Sequence, residues 1–113
     1  MFPISAALLD AMVLSLVNRE ETYGYKITQD MQIAAKVSES TLYPVLRRLQ
    51  KNGALETFDK AYMGRNRRYY RITALGQAML SQYRIDWTQH KVQVDSILEE
   101  QTQLVPAEQE ETV

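Results

Sequence analysis

Cysteine is absent from the 113 residues, which excludes a disulfide framework and thiolate metal sites. A single histidine, His90, leaves no material for a histidine metal centre or a multi-histidine acid–base site. Four glycines, with no GxGxxG or GxxxxGK pattern, exclude a phosphate-cradling loop. No base precedes Arg19, and the apolar run over 4–17 is broken by Ser5, Asp10 and Ser15. Neither a secretory signal nor a membrane span is therefore expected, and the expected location is the cytoplasm. No nucleophile–base pair or paired-carboxylate pattern stands out, so no enzyme, cofactor or metal is expected. What is present is 45% hydrophobic and 24% charged residues, the balance of one small domain with an appended helix or tail.

The net charge of −1 conceals a strong segregation. Residues 36–71 hold nine bases (Lys36, Arg47, Arg48, Lys51, Lys60, Arg65, Arg67, Arg68 and Arg71) against three acids (Glu39, Glu56 and Asp59), a local +6. Residues 86–113 hold one base and seven acids, a local −6. A basic middle is an electrostatic footprint for phosphate, or a solvated surface that happens to be basic; charge alone leaves both open.

The segment 4–17 carries two adjacent apolar rows at helical spacing, Leu8–Met12–Leu16 and Leu9–Val13–Val17. A helix apolar on nearly all sides must be covered on nearly all sides, which implies a partner subunit on its second face. A second helix is predicted over 25–35, with Gly24 as N-cap and Ile27, Met31 and Ala34 inward. Ser38 is a good N-cap for a third, over 39–52, whose core stripe is Leu42, Val45, Leu46 and Leu49. Pro44 should bend it, and Asn52-Gly53 should stop it. Strands are predicted over 55–60 and 67–73, joined by a protruding basic loop, AYMGRN. Thr73 can cap a final helix carrying Leu75, Met79, Tyr83, Trp87, Val94, Ile97 and Leu98. Its span from Leu75 to Leu98 is about 36 Å, too long to be buried on so small a body. The expected fold is mainly α with a small β-hairpin: a winged helix-turn-helix over 1–73 whose first helix also joins the dimer interface, a dimerisation helix over 74–104, and a disordered acidic tail over 105–113.

The stretches YGYKI (23–27), SESTLYPVLRRLQKNGAL (38–55) and GRNRRYYRITALG (64–76) resemble the PadR family of bacterial transcriptional regulators, in its compact branch with one C-terminal helix. The likeness covers most of 4–98. It implies a homodimeric DNA-binding repressor whose final helix joins the partner's first. There are departures: the family's hairpin loop often carries two glycines, where this chain has Met63 before Gly64, and Asn66 interrupts the arginines.

Ser40, Tyr43, Arg47 and Lys51 share the helix face opposite the leucine stripe, with Thr41, Pro44 and Arg48 at its edges. Hydroxyls and guanidinium groups on one face suit phosphate and base edges in the major groove. Lys60, Arg65, Arg67 and Arg68 are expected along the flanking backbone, and Lys26 at a phosphate from the second helix. The partner is then double-stranded DNA carrying a palindromic operator. A winged helix that binds only protein is the alternative; it would call for an apolar or acidic recognition face.

In compact drug-sensing relatives a tryptophan matching Trp87 stacks on flat aromatic ligands at the dimer centre. The resemblance therefore implies a site for a small aromatic effector formed by Trp87, Tyr83, Leu8, Met12 and Ile4, with interface core as the competing reading. Those relatives tend to have a phenylalanine and an acid where this chain has Arg84 and Lys91, which favours anionic aromatics such as phenolic acids. Leu9, Met79, Val94, Ile97 and Leu98 are the candidate dimer contacts, and His90 a partly exposed interface residue.

Overall fold

The structure is a computed structural model that describes residues 2–99. Side-chain caps start three of its four helices. The Ser5 hydroxyl accepts from the Leu8 N–H at 3.1 Å to open α1 (Ala6–Arg19). Tyr23, without a side-chain cap, precedes α2 (Gly24–Ala35), so Gly24 is the first helical residue and not the expected N-cap. Ser38 accepts from the Thr41 N–H to open α3 (Glu39–Lys51). Thr73 accepts from the Gly76 N–H at 3.0 Å to open α4 (Ala74–Leu98).

The helix stops are equally local. Lys36, in the left-handed region at φ 55°, closes α2 with its N–H on the Gln32 carbonyl. Gly53, at φ 83°, closes α3: its N–H reaches the Gln50 carbonyl and the Ala54 N–H reaches that of Leu49, the paired bonds of a Schellman stop. α3 runs unbroken through Pro44. The missing proline N–H forfeits only the bond to the Ser40 carbonyl, at an exposed position water can reach.

Three antiparallel strands lie in the order β1 (Thr22–Tyr23), β3 (Arg65–Ile72), β2 (Leu55–Tyr62). The sequence reading missed β1, because two residues carry no periodicity. It also placed a six-residue loop where the turn is only Met63-Gly64. Both turn residues have positive φ, 52° and 79°, the sense that matches strand twist, so the ladder continues to the Tyr62–Arg65 pair.

The core joins Leu9, Val13, Leu14 and Val17 of α1 to Ile27 and Met31 of α2, the four apolar residues of α3, Leu55 and Leu80. Ala34 is exposed; Thr28 is buried in its stead, its hydroxyl donating to the Gly24 carbonyl at 2.9 Å. The inward row of α4 starts from Gly76 and Leu80, while Leu75 is 51% exposed. The cause is a close approach. Thr73 ties itself to the α3 stop, its N–H on the Ala54 carbonyl and its hydroxyl 2.6 Å from that of Gly53. A β-carbon on Gly76 would then run into the Ala54 carbonyl oxygen and lie 2.7 Å from Ile72 Cγ1. Further along, α4 leaves the body: Trp87 is 45%, Ile97 81% and Leu98 67% exposed.

Gly76→Ala should therefore lower stability by about 2–3 kcal/mol or more, as an overpacked contact does. Urea unfolding followed by circular dichroism would show it, whereas Gln77→Ala beside it should leave the midpoint nearly unchanged.

Candidate nucleic-acid interface

Burial of its apolar stripe turns Ser40, Thr41, Tyr43, Arg47 and Lys51 of α3 to solvent. Near the N-terminus of α3 the Ser38 hydroxyl lies 3.1 Å from those of Ser40 and Thr41. Along α2, Tyr25, Gln29 and Gln32 border a shallow groove with Ser38 and Glu39, residues of α2 that the sequence did not single out. Arg47, Lys51 and Arg65 make no ion pair with any described residue.

The hairpin divides its basic residues between two faces. Pairing of Tyr70 and Ile72 with the core puts Arg68 on the side of α3. A cleft lined by Tyr23, Gly24, Tyr25, Tyr43, Arg67, Arg68 and Tyr70 adjoins it, so side chains from both hairpin faces reach this cleft. Burial pushes the Tyr70 phenol above its ordinary value, and the nearby Arg68 and Arg47 cations oppose that rise. Arg68 and Tyr43 line the cleft with Tyr70, and Arg47 follows Tyr43 one turn along the exposed face of α3. Arg68 is held only loosely, 3.7 Å from Asp59.

On the opposite face cations and rings interleave. The Arg67 guanidinium sits 4.0 Å from the Tyr23 ring centre and 3.9 Å from that of Tyr62. Tyr69 stacks on Phe58 and meets Tyr23 edge-on, each at 5.6 Å, and Lys60 lies over Tyr69 at 5.1 Å. Arg71 covers Phe58 and bonds Glu56 and Glu21 at 3.0 and 3.3 Å. Arg67 is therefore held between the rings of β1 and the hairpin tip while also lining the cleft beside Arg68, where a free wing cation was expected.

Two further expectations change. Arg48, still 42% exposed along its side chain, is not free: it pairs with the buried carboxylate of Asp10 of α1, which has Tyr83 of α4 as a further neighbour. Lys26 is engaged by Asp30 at 2.9 Å and borders a groove shared with α1, not the α3 surface. Asp10 was visible in the sequence as the one charge in an apolar helix, but its partners lie far along the chain.

Ile4, Leu8, Met12, Tyr83 and Trp87 do come together. They line an open apolar groove of about 690 Å³ between α1 and α4, with Lys36 and Arg84 among its other lining residues. Leu9, expected at a subunit interface, belongs to the protomer's own core at 7% exposure, because it shares the inward row with Val13 and Val17. Met79 is half-buried against that core. Val94, Ile97 and Leu98 lie on the projecting half of α4, and His90 follows Trp87 with ring centres 6.1 Å apart. The tail over 105–113 and the end of the 74–104 span lie outside the described residues. Among the described residues no group of three or more His, Cys, Asp or Glu could hold a metal ion, and no helix is long and apolar enough to cross a membrane.

Comparison with known proteins points one way. Residues 13–82 match the transcriptional regulator PadR-like family. A solved structure from Streptococcus mutans is 37% identical, covers 88% of this chain and 93% of its own, and superposes with a TM-score of 0.82. A PadR-like transcriptional regulator of Bacillus cereus is 31% identical, with coverage of 82% and 93% and a TM-score of 0.76. A transcriptional regulator of Mycobacterium tuberculosis is 40% identical over 65 residues, 57% of this chain and 61% of that protein.

The two arginines should separate in thermal melts. Arg67→Ala, which empties the space between two rings, should cost about 1–2 kcal/mol. Arg68→Ala, which removes an exposed and loose ion pair, should leave the melting temperature nearly unchanged.

Proposed function

The chain belongs to the PadR-like family of transcriptional regulators, and on that premise we propose that it is a sequence-specific repressor that binds a palindromic operator as a homodimer. The observation that carries this reading is the cleft that Arg68 and Tyr70 of the hairpin share with Tyr43 of α3, beside the exposed hydroxyls and Arg47 of that helix. Ser40, Thr41, Tyr43, Arg47 and Lys51 enter the major groove in this reading. Arg68 and Arg65 follow the flanking phosphates. The uncovered half of α4 supports the dimer: Val92, Ile97 and Leu98 are 61%, 81% and 67% exposed and Trp87 is 45% exposed, and a second copy would bury them.

Duplex affinity should fall steeply with salt, with a log–log slope near −5 for a dimer releasing about six counterions. Arg68→Ala should flatten that slope by about 2 per dimer and weaken all sequences alike. Arg47→Ala should instead relax discrimination by about 1–3 kcal/mol at one position of each half-site. Titration of a duplex selected from a random pool, at several salt concentrations, measures all three. A salt-insensitive response would favour the protein-binding alternative.

The α1/α4 groove supports an effector site for flat aromatic molecules, released-repressor style, in which ligand binding alters the angle between subunits. Trp87 supplies a flat wall, and the bases Lys36 and Arg84 favour an anionic ligand. Phenolic acids should quench Trp87 fluorescence more strongly than planar cations of similar size. Quenching by the cations alone would refute the preference.

A further inference from the structure

Asp10 is the one charged side chain among the described residues that is buried, 8% exposed in an otherwise apolar helix. Its carboxylate is where three helices meet: α1 supplies it, Arg48 of α3 pairs with it, and Tyr83 of α4 is its neighbour. An apolar residue there would serve stability as well or better, since a buried ion pair recovers little beyond its desolvation cost. What the pair does supply is direction. Arg48 adjoins Arg47, so holding the one guanidinium sets the roll of α3 and the aim of the other. At a helix radius of about 5–6 Å, a roll of about 10° moves a side-chain tip by about 1 Å, enough to spoil a bidentate bond to a base edge. Tyr83 has a second neighbourhood, because it also lines the α1/α4 groove with Leu80 and Trp87.

We propose that Asp10 is a positioning residue for DNA reading, holding Arg48 to set the roll of α3 and sharing its carboxylate with Tyr83, so that the contents of the α1/α4 groove bear on the recognition helix through one side chain. This rests on the reading of α3 as the DNA-contacting helix. Tyr83 thus stands beside both the groove and the Asp10–Arg48 pair.

The test is a cycle of Asp10→Asn, Tyr83→Phe and the double variant in the full chain. Each is titrated with a duplex selected from a random pool by the wild type and with a scrambled duplex, and each is melted. Asp10→Asn should keep salt-dependent binding to the scrambled duplex while the preference for the selected one falls about tenfold. Tyr83→Phe should lower that preference about fivefold, and should add nothing in the Asp10→Asn background. Unchanged preference in Asp10→Asn, or fully additive effects, would overturn the proposal while leaving DNA reading intact. A wild type that selects no duplex would overturn both. Should Asp10→Asn fail to fold, Arg48→Gln replaces it in the same cycle with the same expected non-additivity.

Discussion

The burial of one side of α3 governs what the rest of the molecule can present. Leu42, Val45, Leu46 and Leu49 are sealed against α1, α2 and β2, and a helix that dries one face must wet the other. The four core contacts hold α3 at a fixed depth, the Ser38 cap and the Gly53 stop fix its ends, and the hydroxyls and Arg47 project from a rigid support as a result. No loop conformation has to be chosen to assemble that surface.

The hairpin obeys the same logic with period two. One face must follow Tyr70 and Ile72 toward the core, which carries Arg68 to the side of α3. The other face has no core to cover it, and it uses the rings of Tyr23, Phe58, Tyr62 and Tyr69 to hold Arg67, Lys60 and Arg71 in place of solvent. Adjacent arginines thus have different tasks: one stiffens the wing, and its neighbour stays loose enough to meet a partner.

α4 is a rod fixed at one end. Its first turns are locked by Thr73 and by the close approach of Gly76 to Ala54, and from Trp87 onward it projects with apolar residues uncovered. The groove it forms with α1 lies where the locked part ends and the projecting part begins. In the proposed reading, a ligand there would bear on the angle at which the rod leaves the body.

Much was legible in the residues before any coordinates. Ser38, Gly53 and Thr73 marked helix ends because caps and stops are local chemistry, and the leucine stripe of α3 located its exposed face because a period of 3.6 is local too. The five groove residues came from the family resemblance around Trp87, with which their i, i+4 spacing on two helices agrees. What needed the fold was every relation between distant segments. Arg48 looked like another surface base until its partner, 38 residues away, was seen beneath it. Lys26 has a local partner in Asp30, four residues on, but that it borders a groove with α1 and not the α3 surface needed the fold. Leu75 lost the inward place to Gly76 and Leu80 because a backbone carbonyl of another element stood in the way. Sequence alone determined which residues are apolar, charged or able to cap; only tertiary packing decided which charges are consumed inside the protein and which remain available, because pairing depends on distance in space and not along the chain.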